Sequence, residues 1–190
     1  MATATRTAPP APPPPWTPPV HPAGDSARLD RLAQLAPDRL NALFAASSAP
    51  QSLELLEGDP VCRGLIRGGR LARRWAASPA SPWIGKSFTP LGDDRLLGHN
   101  RLRLLGGSRA LAFSATIGPS RRDGRDALLL RYDGVGTTNP WWVRRIHDEL
   151  REVEPGLLAG PVMWLRRRRT WTLCWFAIDT AEAAIADRAR

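Results

Sequence analysis

The chain has 190 residues, room for one domain of ordinary size, and its 27 basic against 18 acidic residues give a formal net charge of +9. Every basic residue except Lys86 is arginine. A hydrophobic fraction of 43% excludes a wholly disordered chain, and two cysteines exclude a disulfide-rich scaffold or an all-cysteine zinc site. No apolar run approaches the about 20 residues that a membrane-spanning helix needs.

Residues 1–24 hold nine of the 19 prolines. Proline removes a backbone donor and fixes one dihedral, so this stretch reads as a disordered tail, with a groove ligand around Trp16 as the alternative. It lacks the basic start and apolar run of a secretory signal, so a cytoplasmic address is expected. A helical segment is expected over 25–57. Leu29, Leu32, Ala33 and Ala36 recur at helical spacing behind Asp25 or Ser26 as a cap, and Pro37 suits the start of a second short helix carrying Leu40, Leu43 and Phe44.

After Pro50, Gly, Pro and Asp clusters punctuate short apolar runs, the pattern of an antiparallel β protein. A barrel is expected over 58–180 and a C-terminal tail over 181–190. The runs 61–67, 83–89, 96–105, 109–118, 126–133, 157–165 and 170–179 read as strands. In the third, Leu102 and Leu104 alternate with arginines and place Asn100 on the apolar face. In the fifth, Leu128, Leu130 and Tyr132 share a face, and the last is apolar on both faces, as a strand covered on both sides would be.

One amphipathic helix is expected over 139–154, with Asn139 as cap and Pro140 in the first turn. Trp142, Val143, Ile146, Leu150 and Val153 share one helical face. The spacings Arg144 to Asp148 and Arg145 to Glu149 suit surface ion pairs, so Asp148, Glu149 and Arg151 read as solvated helix charges, with an acid that orients a base or a substrate as the alternative for Asp148 and Arg151, and His147 reads as solvent-facing. Together these elements predict a mainly β (α+β) protein. A small barrel with short N-terminal helices and one amphipathic helix is the simplest way to remove the sheet edges.

Five pieces carry a resemblance: Trp83-Ile84-Gly85-Lys86-Ser87-Phe88, Tyr132-Asp133, Ile146-His147-Asp148-Glu149-Leu150-Arg151, Leu157-Leu158-Ala159-Gly160, and Trp175-Phe176. Their order resembles small bacterial proteins in which a GxWxG-type domain precedes a domain of unknown function, themselves similar to lipocalins and nitrobindins. The resemblance implies a lipocalin-like antiparallel barrel with an internal cavity. An upstream GxWxG is absent, although Gly68, Gly69 and Trp75 lie in that region. The axial histidine of nitrobindin-like haem binding has no match in His99 or His147, so haem is not expected.

Lys86 shares strand parity with Ile84 and Phe88. Facing a cavity, a desolvated lysine with a lowered pKa could act as base, iminium former or carboxylate anchor; at the rim, its stem would pack on Trp83 with the charge in water. Lys86, Asn100 and Tyr132 together would form the few convergent polar groups of an apolar pocket, which Trp83, Phe113, Trp164 and Trp175 would line. In a cofactor-free isomerase or cyclase, Lys86 or Tyr132 would polarise a carbonyl.

Arg166, Arg167, Arg168 and Arg169 fall at a hairpin tip between Trp164 and Trp171. They define the competing reading, a nucleic-acid or anionic-surface module. Glycine-rich phosphate loops, HExxH, paired CxxC and GxSxG are all missing, so no cofactor or metal is expected, and Cys62 and Cys174 read as small buried hydrophobes. The expected partner is a small, largely apolar metabolite.

Overall fold

The computed structural model describes residues 27–65, 82–92, 94–103, 108–134, 138–167 and 169–180. The tails expected over 1–24 and 181–190, and the residues Trp16, Gly68, Gly69, Trp75 and Arg168, lie outside the described residues.

Two short helices, α1 (Ala27–Gln34) and α2 (Pro37–Ala46), precede eight strands. Pro37 opens α2 where its missing N–H would have no helical partner. The strands are β1 (Val61–Leu65), β2 (Trp83–Pro90), β3 (Leu96–Leu102), β4 (Ser108–Pro119), β5 (Asp126–Arg131), β6 (Ile146–Glu154), β7 (Leu157–Arg166) and β8 (Arg169–Asp179). Strands β2 to β8 form an antiparallel meander, and β1 pairs with the far side of β8. That brings β1 round towards β2 and nearly closes an eight-stranded barrel. At the seam Gly58 and Phe88 exchange backbone hydrogen bonds of 3.0 and 2.8 Å. No described helix is long and apolar enough to cross a membrane.

The barrel and short N-terminal helices match the expected fold class, but the helix expected over 139–154 does not form. A 3-10 turn at Val143–Arg145 runs directly into β6, a central strand paired with both β5 and β7. Apolar residues three and four apart satisfied the helical period by coincidence. Two ladders of non-local backbone hydrogen bonds override that local pattern. The charges consequently alternate across a sheet: Asp148 and Leu150 pair with Leu130 and Leu128 on the inner face, while Glu149 and His147 pair with Leu129 and Arg131 on the outer.

Two cores result. Inside the barrel, Phe88, Leu96, Phe113, Leu128, Leu130, Leu150, Leu158, Phe176 and Ile178 pack together. Outside it, Leu29 and Leu32 of α1 and Leu40 and Phe44 of α2 cover Leu129, Val153, Leu157, Trp175 and Ala177. The C-terminal part of β8 is thus covered on both faces, as its sequence requires.

His147, Glu149 and Arg151 are buried in this outer layer rather than solvated, and no Arg144–Asp148 or Arg145–Glu149 pairing forms among the described ion pairs. Arg151 donates to the carbonyls of Phe44 (3.1 Å), Arg125 (3.0 Å) and Asp126 (3.0 Å) and to both oxygens of Asp123 at 2.7 and 2.8 Å. Its guanidinium lies 4.4 Å from the centre of the Phe44 ring. Glu149 accepts from the Ser120 hydroxyl and the Arg121 N–H (2.7 Å), and faces His147 Nε2 at 3.2 Å. Arg28 ties α1 to the β6–β7 turn through Pro155 O at 2.7 Å and the carboxylates of Glu154 and Asp179.

Replacing Arg151 with Met should cost about 3 kcal/mol in urea unfolding, because a fully buried guanidinium loses together its bonds to the Phe44, Arg125 and Asp126 carbonyls and to the Asp123 carboxylate. The Arg151 hydrogen bonds hold the Asp123 carboxyl down, from 3.8 to about 2. A depressed carboxylate stabilises fully above its unfolded pKa, and that contribution disappears as pH falls through the folded value. The wild type should therefore lose this contribution between 3.8 and about 2, and Arg151→Met should show a shallower acid limb there.

Candidate ligand cavity

Four elements deliver polar side chains to one wall of the barrel interior. Lys86 on β2 stands opposite Asn100 on β3 in the ladder. The β3–β4 register shifts between Gly98 and Asn100, and Leu111 adopts φ 53 beside the shift. Its carbonyl there accepts from Asn100 Nδ2 at 3.3 Å. Gly98 has no room for a side chain, because a Cβ would lie 2.1 Å from the Phe113 ring. Phe113 therefore packs across β3, with its ring centre 4.7 Å from Lys86 Nζ.

Tyr132 follows β5, and its carbonyl is fixed by Asn139. The Asn139 side chain is buried and donates to Tyr132 O (3.0 Å) and Ala112 O (2.7 Å), rather than capping a helix. Asp148 comes from β6.

The cluster closes on itself. The Lys86 ammonium donates to Asn100 Oδ1 (3.1 Å) and Tyr132 OH (2.7 Å) and lies 3.0 Å from Asp148 Oδ2, which uses all three of its N–H bonds. Tyr132 accepts from Asn100 Nδ2 (3.2 Å) and donates to Asp148 Oδ2 (3.0 Å). Asn100 Oδ1 also accepts from Trp83 Nε1 at 2.9 Å. Asp148 Oδ1 alone in this network is buried with no hydrogen-bond partner among the described residues. Phe113, Phe176, Tyr132 and Trp83 surround the ammonium, with ring centres 4.7 to 5.9 Å away.

Burial is the largest influence on Lys86 and opposes its charge, but the Asp148 carboxylate and the Tyr132 hydroxyl together outweigh it and hold the ammonium above the ordinary lysine range. The lowered lysine pKa expected from desolvation alone is thereby corrected: the partner that reverses it sits on β6, which the sequence disguised as a helix. Burial, with the neighbouring Asp148 charge, likewise raises the Tyr132 phenol above its ordinary range, so it stays protonated. Burial pushes the Cys62 and Cys174 thiols up to about 11, which leaves them un-ionised near neutrality.

Beside this wall is a cavity of about 250 Å³. Lys86, Asn100, Tyr132 and Asp148 are its polar lining, and Trp83, Ile146, Val162 and Phe176 supply apolar surface. Of the other residues singled out by sequence, Phe113 is wholly buried beneath Lys86. Trp175 borders the cavity, but its ring packs edge-on against Phe44 in the outer layer, 6.0 Å away. Trp164 pairs with Trp171 on the β7–β8 ladder and is not part of the lining. His147 is buried against Glu149 on the outer face instead of facing solvent, and His99 does not line the cavity either.

Asp148, Ile146 and Val162 escaped the sequence reading. Strand parity would have found the first two, since Ile146, Asp148 and Leu150 alternate as Leu128, Leu130 and Tyr132 do.

Arg166, Arg167 and Arg169 border a separate open cleft of about 560 Å³ at the β7–β8 turn, together with the exposed Trp171. No family model matches the chain, and neither a curated protein nor a solved structure matches it.

Lys86→Met leaves Asp148 buried without its counter-charge and should cost about 3–5 kcal/mol in urea unfolding. Lys86→Met combined with Asp148→Leu removes both charges and should recover most of that loss. A double variant no more stable than Lys86→Met alone would show that the unpaired Asp148 charge is not what destabilises Lys86→Met.

Proposed function

We propose that the barrel binds a small, largely apolar molecule in this cavity. The observation that carries the reading is the cavity itself: an apolar space with one polar wall, inside an otherwise packed barrel. Its volume of about 250 Å³ bounds the ligand. A cavity of roughly 150 Å³ takes benzene, and pockets for drug-sized molecules run from about 300 Å³ upward, so one or two fused rings is the fitting size.

Binding is favoured over carbonyl chemistry. An isomerase or cyclase would need Lys86 or Tyr132 to donate to a substrate oxygen, and their N–H and O–H groups are already engaged with Asn100, Asp148 and each other.

A second reading rests on the cleft at the β7–β8 turn, where three arginines beside an exposed tryptophan suit an anionic partner such as nucleic acid.

Salt and a cavity-filling variant separate the two. Calorimetric affinity for a naphthalene-sized ligand should change less than about twofold between about 50 and 500 mM salt, whereas an oligonucleotide held by arginines would dissociate steeply. Val162→Phe should fill the cavity and lower the affinity at least about tenfold, with the melting transition retained. Unchanged affinity in Val162→Phe would place the ligand elsewhere and overturn the cavity reading.

A further inference from the structure

The antiparallel strand order puts the β5–β6 loop and the β7–β8 turn at the same end of the barrel. Ile146 at the start of β6 pairs with Trp164, and Trp164 pairs with Trp171, so one cross-strand row joins the two connections. Beyond that row the β7–β8 hairpin continues to the rung Arg166–Arg169, two residues or about 7 Å further out. The 3-10 turn Val143–Arg145 likewise separates Trp141 and Trp142 from the start of β6.

Both projections combine exposed apolar surface with exposed cations. Trp141 and Trp142 are 69% and 45% exposed, and the exposed Arg144 and Arg145 follow them. Trp171 is 44% exposed beside Arg166, Arg167 and Arg169, with the exposed Leu173 two residues along β8. None of these five arginines is paired with a carboxylate among the described residues. Arg145 instead stands 5.8 Å from the centre of the Trp141 ring. Arg166 and Arg169 lie directly opposite each other in the ladder, where like charges repel and an anion from outside would relieve them.

We propose that this end of the barrel docks peripherally on an anionic membrane surface. The tryptophans of both projections sit in the interfacial layer, and their arginines sit on lipid headgroups. Tryptophan suits that layer because its ring is apolar and its N–H reaches water, and each arginine there is attracted by the negative surface potential. Two separate projections can touch a plane together, whereas a nucleic-acid strand would need a groove running between them. Leu173 points the same way, since an aliphatic side chain offers a base no face to stack on. This docking is independent of the cavity reading.

The test is co-sedimentation of the full chain with phosphatidylcholine vesicles, with and without about one-third phosphatidylserine. Binding to the mixed vesicles should be at least about tenfold tighter than to phosphatidylcholine alone, and should weaken with salt. Trp141→Ala/Trp142→Ala and, separately, Arg166→Gln/Arg167→Gln/Arg169→Gln should each lower that binding at least about tenfold, with the melting transition retained. Arg39→Gln/Arg95→Gln/Arg121→Gln removes the same charge from exposed positions away from this end, and should bind within about threefold of the wild type.

An equal loss in that last variant would reduce the effect to net charge and overturn the docking face. Unchanged binding in either of the other two variants, or equal binding to both kinds of vesicle, would also overturn it. Failure to bind the mixed vesicles overturns it outright, and retention of a single-stranded oligonucleotide in their place would assign the arginines to nucleic acid. None of these results bears on the cavity, which Val162→Phe tests separately.

Discussion

An ammonium and a carboxylate buried 3.0 Å apart inside a barrel of leucine and phenylalanine set the terms for the whole interior. Neither charge could be there alone, because an unpaired ion in so apolar a space would cost several kcal/mol. Together they bind β2 to β6, and through Asn100 and Tyr132 they draw in β3 and the end of β5. Such a pair seldom stabilises more than a well-packed apolar substitute would. Its effect here is directional. It dictates which side chains face one another, and it keeps one wall of the interior polar beside a space that packing leaves open.

β6 carries this constraint into the second layer. Asp148 and Leu150 face the barrel interior, while His147, Glu149 and Arg151 face α2 and the loop before β5. A slip of one residue would point Arg151 into the inner core and leave Lys86 without a counter-ion. The strand therefore has one acceptable register, enforced from both faces. The same alternation joins the cavity to the N-terminal helices: Arg151 reaches the Phe44 carbonyl in α2, three residues along the strand from Asp148.

Much of this architecture is visible in the sequence where apolar alternation is clean. Leu128, Leu130 and Tyr132 share an inner face as their spacing indicates, and the structure brings Lys86, Asn100 and Tyr132 into hydrogen-bond contact. The central strand β6 was illegible for a physical reason. Its charges are satisfied by Lys86, Ser120, Asp123 and the Phe44 carbonyl, all distant in sequence, so in isolation they resemble the wet face of a helix. Losing that strand hid Asp148, and with Asp148 went the sign of the lysine pKa shift. The space at the cavity could not be read either, because volume left between rings from several strands has no local signature.

The lone lysine of an otherwise all-arginine basic set follows from the geometry of its acceptors. A tetrahedral ammonium sends three N–H bonds in diverging directions, and Asn100, Tyr132 and Asp148 stand in those directions. A guanidinium is planar and carries five donors, so at this position at least one would point into aromatic carbon without an acceptor. Position 86 thus discriminates between two residues of equal charge by the number and direction of their hydrogens. Arginine, which serves everywhere else on the chain, is the wrong shape for the inside of this barrel.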